Sequence, residues 1–219
     1  MLTLSACSFD TSAALLPGSG DSNDDTPAPL PGQPDAGPGQ PDAMEEEEQV
    51  AMEPAFVFRM NLAGNEHIGT DYPGTWLADD GTCTGNQWVE SDEVNGTVDD
   101  PLFLTNRYAD PVACTIGGGA LDAGDYTVTL LFGEVYRGGC TNDVGSRIYD
   151  VSAEGVLYLD DFDAVAASNG CVLATGTPTS RTFTVTVNDG TLDILADGDT
   201  NAMISAIEVV SVAMVPVVE

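Results

Sequence analysis

The chain of 219 residues contains no lysine, and its five arginines face 36 acidic side chains, for a net charge of −31 at pH 7. A surface so poor in cations cannot hold nucleic-acid phosphates or an anionic membrane by charge. Solubility in salty surroundings, a basic partner or calcium remain as reasons for the imbalance, and the scatter of the acids favours solubility. No apolar run reaches 18 residues, so nothing in the sequence reads as a membrane-crossing helix. The only histidine is His67, with no Gly-x-Ser-x-Gly pattern or metal triad around it, and it reads as an exposed, inert loop residue. The five cysteines lack the Cys-x-x-Cys pairs that zinc sites favour.

What is present divides the chain into three parts. Residues 1–7 end in Leu4-Ser5-Ala6-Cys7, which fits the lipobox at which bacterial lipoproteins are cleaved and lipidated. The fit implies a truncated signal peptide and an exported protein, held at a bacterial outer membrane or cell surface through a lipid on Cys7. Residues 8–53 are rich in Ser, Asp, Gly and Pro. They repeat Pro-Gly-Gln-Pro-Asp-Ala at 31–36 and 38–43, and an acidic run follows from Glu45 to Glu48. Such a segment cannot bury enough apolar surface to offset its chain entropy, so it is expected to be a disordered tether.

From residue 54 to 219 the texture is that of a folded β domain. Tyr126, Val128, Leu130 and Phe132 alternate with Thr127 and Thr129, and Phe183, Val185 and Val187 alternate with Thr182, Thr184 and Thr186. Period-2 alternation puts one set on a core face and the other toward solvent. Phe56–Asn61 reads as a further strand, Asn188-Asp189-Gly190 as a turn, and the last strand is expected near Met203–Val212. Many short strands with turn signals, and no amphipathic helix, indicate an all-β antiparallel sandwich. Cys83, Cys114, Cys140 and Cys171 all fall in this part. In an exported β domain they read as two disulfides, with Cys83–Cys114 and Cys140–Cys171 expected among the three possible connectivities.

Certain side chains stand out as candidates. Tyr108 and Tyr136 lie at strand ends, where a ring offers an apolar face and a hydroxyl together, a combination that suits a sugar. The competing reading is a half-buried core tyrosine. Trp76 reads as core, whereas Trp88, among Asn86, Gln87 and Glu90, reads as near-surface. Arg59, Arg107 and Arg147 lie in or beside apolar strands and are each expected to meet a carboxylate, with Glu134 a partner for one of them or, alternatively, an acceptor for a sugar hydroxyl. Asp197, Asp199, Asn201 and Glu208 match EF-hand spacing, but Ala202 replaces the turn glycine and the flanks read as strands, so an EF-hand is rejected. Calcium at Asp160-Asp161-Phe162-Asp163 is a residual possibility; no other cofactor is expected.

The domain resembles the malectin domain, a di-glucose-binding lectin module. The carriers are Phe58-Arg59-Met60-Asn61, Thr75-Trp76-Leu77-Ala78-Asp79, Asp100-Pro101-Leu102-Phe103 with Arg107-Tyr108, and Phe132-Gly133-Glu134-Val135-Tyr136. Arg147-Ile148-Tyr149-Asp150-Val151, Asp160-Asp161-Phe162-Asp163 and Asn201-Ala202-Met203 through Glu208-Val209 follow in order. The resemblance implies a galactose-binding, jelly-roll-like sandwich that captures carbohydrate without catalysis. It places Tyr108 and Tyr136 at the family's ring positions and Arg137 where the animal lectin has a second aromatic. Thr200 takes the place of the family's acid, with Asp199 one residue early, and Trp88 is the candidate substitute for a missing tyrosine. The implied ligand set is therefore Tyr108, Tyr136, Arg137, Trp88, Asp199 and Asn201. The rivals are a protein-binding adhesion or scaffold module and, behind it, a glycoside hydrolase, which needs two carboxylates facing each other across a cleft.

Overall fold

The computed structural model describes residues 50–136 and 144–217. Cys7, Arg137, Cys140 and the tether as far as residue 49 lie outside the described residues. In chain order the first strands are β1 (Met52–Pro54), β2 (Val57–Asn61), β3 (His67–Gly69), β4 (Gly74–Ala78) and β5 (Asn86–Val89). Next come β6 (Thr105–Ala109), β7 (Val112–Ile116), β8 (Gly124–Phe132), β9 (Ile148–Ala153) and β10 (Val156–Asp163). The series ends with β11 (Thr179–Val187), β12 (Leu192–Asp197), β13 (Ala202–Ile204), β14 (Ala206–Ser211) and β15 (Met214–Pro216). The one α-helix among the described residues is α1 (Ala164–Ala167), a single turn whose Val165 and Ala166 N–H groups donate to the side chain of Asp163.

The architecture is an all-β sandwich. One layer is a six-stranded sheet in the order β11-β8-β14-β2-β4-β3, and the facing layer is a four-stranded sheet in the order β10-β9-β12-β7. A three-stranded sheet, β13-β6-β5, adjoins them, and β1 pairs with β15 as a separate ribbon. The pairing is antiparallel except between β2 and β4, which run parallel. β1 begins at Met52, ahead of the boundary read from composition, because the pairing with β15 orders that segment.

The alternation foreseen in β8 and β11 places the side chains. Tyr126, Val128, Leu130 and Phe132 are buried, and they meet Val185 and Val187 of β11 with Ile194 and Val151 of the facing sheet in the main core. A second apolar cluster lies around Trp76, Leu102, Phe103, Leu131 and Val172. Trp76 is core as expected, with its indole N–H donating to the Tyr72 carbonyl at 2.9 Å. The final segment differs from the single strand expected near Met203–Val212. It breaks at Ser205, where the chain leaves the three-stranded sheet for the six-stranded one. Ser205 remains bonded through its backbone to Leu131 and Leu62, so the break leaves no backbone donor stranded.

Cys83 and Cys114 form a disulfide across an isolated β-bridge. Cys171 is also disulfide-bonded, and the Cys140 expected to bond it is outside the described residues. The Cys83–Cys114 link joins residues 31 positions apart. Removing it, as in the double variant Cys83→Ala, Cys114→Ala, should cost about 2–4 kcal/mol by releasing chain entropy in the unfolded state. Denaturant unfolding of the two proteins measures the difference directly; equal stability would show that the link does not constrain the unfolded chain.

Candidate binding cleft

Strand register decides which side chains meet. In the β5–β6 pair Trp88 lies opposite Asn106, and Asn86 lies opposite Tyr108. On the other side of β6, Met203 of β13 lies opposite Tyr108. Directly opposed residues share a face and alternate residues return to it, so Trp88, Asn106, Tyr108 and Met203 come together. Glu134 and Tyr136 arrive on the segment after β8, Arg147 just ahead of β9, and Asn201 just ahead of β13. Together these side chains line a cleft of about 300 Å³.

An ion pair underlies the cleft. Glu134 is almost wholly buried, and its carboxylate accepts a hydrogen bond from the Arg147 Nε and one from the Tyr136 backbone N–H at 2.8 Å. A second Arg147 nitrogen, Nη1, donates to the Asn201 carbonyl at 2.6 Å. One guanidinium therefore ties together three separate stretches of chain that carry cleft residues. Above it the Trp88 and Tyr136 rings meet edge to face, with centroids 5.0 Å apart and planes at 90°, a favoured aromatic geometry. Tyr136 is 45% exposed and Tyr108 is half-buried, so both phenols remain open to the cleft.

Of the residues singled out from sequence, Tyr108, Tyr136, Trp88 and Asn201 converge here. Asp199 does not. It faces neighbouring grooves lined by Asp110, Asp150 and Asp197, while the next residue, Thr200, is taken up by hydrogen bonds to the Ile148 backbone. A hydrogen bond shared with Asp110 pushes the carboxyl of exposed Asp197 above the ordinary range. Arg137 lies outside the described residues. Asn106, Arg147 and Met203 were not proposed as cleft residues from sequence. Asn106 carried one usable signal, its position two residues before Tyr108 on a strand.

The remaining charged candidates have structural partners. Arg59 meets Glu208 at 2.5 Å and Arg107 meets Asp79 at 2.7 Å, as the strand positions indicated. His67 is not the exposed, inert loop residue expected. It belongs to β3, with Nε2 2.9 Å from the carboxylate of buried Asp99, which also accepts the Thr70 and Tyr72 N–H groups. The EF-hand spacing falls on strands β12 to β14, so helices cannot frame it. Asp160 and Asp161 bring carboxylate oxygens within 4.8 Å of Asp150, a partial shell against the six to eight oxygens that calcium takes. Asp163 is instead occupied as the cap of α1.

The malectin domain family model matches residues 56–218. The chain belongs to the malectin domain family. Among curated protein sequences, none matches the chain. Solved structures share the fold at low identity. A crystal structure of a Bacteroides uniformis beta-glucuronidase matches with a TM-score of 0.59 and 17% identity, over 72% of this chain and 18% of that one. A crystal structure of the plant peptide RALF23 in complex with FER and LLG2 matches with a TM-score of 0.60 and 16% identity, over 76% and 50%. The ANX2 ectodomain from Arabidopsis thaliana matches with a TM-score of 0.56 and 14% identity, over 70% and 49%. The chain thus spans about a fifth of the glucuronidase and about half of the plant chains. At these identities the likeness speaks to the fold. Membership in the malectin family makes this a module of the carbohydrate-binding or protein-binding kind.

Proposed function

We propose that this malectin domain binds a small oligosaccharide reversibly and without catalysis, in the cleft beneath Trp88, Tyr108 and Tyr136. The observation that carries the reading is the convergence of three aromatic rings and several polar groups in one open concavity. Sugar rings present C–H faces that stack on aromatic planes and hydroxyls that need directed partners, and this lining supplies both. Gluco-disaccharides are the first ligands to test, by resemblance to the di-glucose-binding members. Of the cleft's described lining only Glu134 is a carboxylate, and Arg147 engages it. The opposed acid pair of a glycosidase is not what this lining offers. Cys7, as a lipid anchor ahead of the tether, would display the domain at a cell surface. Single sites of this kind bind weakly, so many displayed copies would supply avidity.

Titration of the protein with maltose, nigerose and cellobiose tests the reading. Tyr136→Ala is expected to weaken binding about tenfold, the equivalent of one lost aromatic contact. Its thermal midpoint should stay near that of the parent, because the ring is half exposed. Undiminished affinity in the variant would move the site elsewhere. Silence of the parent protein across the panel would favour the protein-binding reading. The complex of FER with a plant peptide is the observation on that side.

A further inference from the structure

The buried polar groups near the cleft are almost all accounted for. The Asn61 carboxamide donates to the Asn65 carbonyl and accepts from the Thr105 hydroxyl. Asp99 accepts from His67, Thr70 and Tyr72, and Glu134 from Arg147 and Tyr136. Asn106, the neighbour of Thr105, breaks the pattern. It is 3% exposed, yet among the described residues nothing hydrogen-bonds its side chain. A primary amide offers two donors and an acceptor with two lone pairs, and burying it unpaired is unfavourable unless a further partner completes it. Among the described residues three other groups lack partners as well: the Ser168 and Ser205 hydroxyls and the Trp88 indole N–H. Those are sealed from solvent, whereas the Asn106 amide is not, and Asn106 lines the cleft.

We propose that Asn106 is the residue that reads the ligand, its carboxamide binding a pair of adjacent hydroxyls on a neutral saccharide held against the aromatic wall. The assignment rests on the carbohydrate reading of the cleft and goes beyond it by naming the group that selects. Position supports it. Asn106 lies opposite Trp88 and two residues before Tyr108, so it shares their face of the sheet and neighbours both residues in the cleft. An amide presents a donor and an acceptor side by side, and two neighbouring hydroxyls present an acceptor and a donor in the same spacing. Neutrality follows from charge. Among the described lining residues the carboxylate and the guanidinium cancel each other, and the chain's excess of acids repels an anionic sugar. A polar side chain that the fold leaves unpaired yet open to a cleft takes its remaining partners from whatever fills that cleft.

The test is Asn106→Leu, which keeps the side-chain size and removes both hydrogen-bonding atoms, with Asn106→Ala as a second variant. Each is titrated with maltose, nigerose and cellobiose beside the parent protein, and the thermal midpoint of each is measured. The expected result is a loss of at least about tenfold in affinity with the midpoint unchanged or raised, because no internal hydrogen bond is given up. Parent-like affinity in both variants overturns the assignment and leaves the carbohydrate reading standing. Lost affinity accompanied by a lowered midpoint in both makes Asn106 a structural residue and also overturns it. A parent protein that binds none of the sugars overturns the carbohydrate reading, and the assignment falls with it.

Discussion

Arg147→Ala is expected to destabilise the domain by about 3–5 kcal/mol, the usual consequence of removing one member of a buried ion pair. Glu134 has 1% of its surface exposed and loses the Arg147 guanidinium in this variant, while the Asn201 carbonyl loses the same donor group. In a domain of this length the thermal midpoint should fall by on the order of 10 °C. The double variant Arg147→Met, Glu134→Leu should lose much less, since no charge is left in the interior. Circular dichroism melts of the parent, the single variant and the double variant give the comparison. A single variant that melts with the parent would mean that the pair is hydrated and carries no structural weight. Binding should suffer in both variants, because the same guanidinium holds the Glu134–Tyr136 segment and Asn201 in place around the cleft.

Asp99→Ala should cost about 3 kcal/mol or more, because three hydrogen bonds to a single charged acceptor are lost at once. The loss is also pH-dependent in a defined direction. Burial by itself raises the Asp99 carboxyl, but the bonds from His67 and from the Tyr72 and Thr70 backbone outweigh it, so the group lies below the ordinary carboxylate range. A carboxyl held lower in the folded than in the unfolded chain adds stability above the unfolded value, near pH 4, and loses it as pH falls through the folded value. Asp79 acts with the same sign. Burial raises it, and Arg107 with the Gly81 and Ala63 N–H groups lowers it further. Comparing the parent with Asp99→Asn cancels the general repulsion among the acids. Urea titrations should show the full gap at neutral pH and a shrinking gap below about pH 4. A gap that widens in acid would contradict the hydrogen-bonding described.

The fold was readable where the information is local. The alternation of Tyr126 to Phe132 and of Phe183 to Val187 follows from the two-residue period of a strand, and it held in β8 and β11. The arginines in apolar strands had to meet carboxylates, and Arg59, Arg107 and Arg147 do. The cleft was half readable. Tyr108, Tyr136 and Trp88 were visible as rings near loops. That Asn106 and Met203 share their face depends on which strands pair and in what register, and pairing of distant segments leaves no mark in either segment alone. The His67 contact leaves no local mark for the same reason, since its partner Asp99 is 32 residues away. Proximity to the family's acid position points to Asp199. The turn before β13, where Asn201 takes a positive φ of 45°, instead brings Asn201 to the cleft and leaves Asp199 among other acids.

The antiparallel ribbon of β1 with β15 places Met52 beside Pro216, so the chain enters and leaves the sandwich through one doorway. A module with adjoining ends can be spliced into a surface loop of an unrelated host without prising that loop apart. The same closeness allows a circular permutant: a short linker bridging the two ends, with new ends cut at an exposed turn, would preserve every sheet.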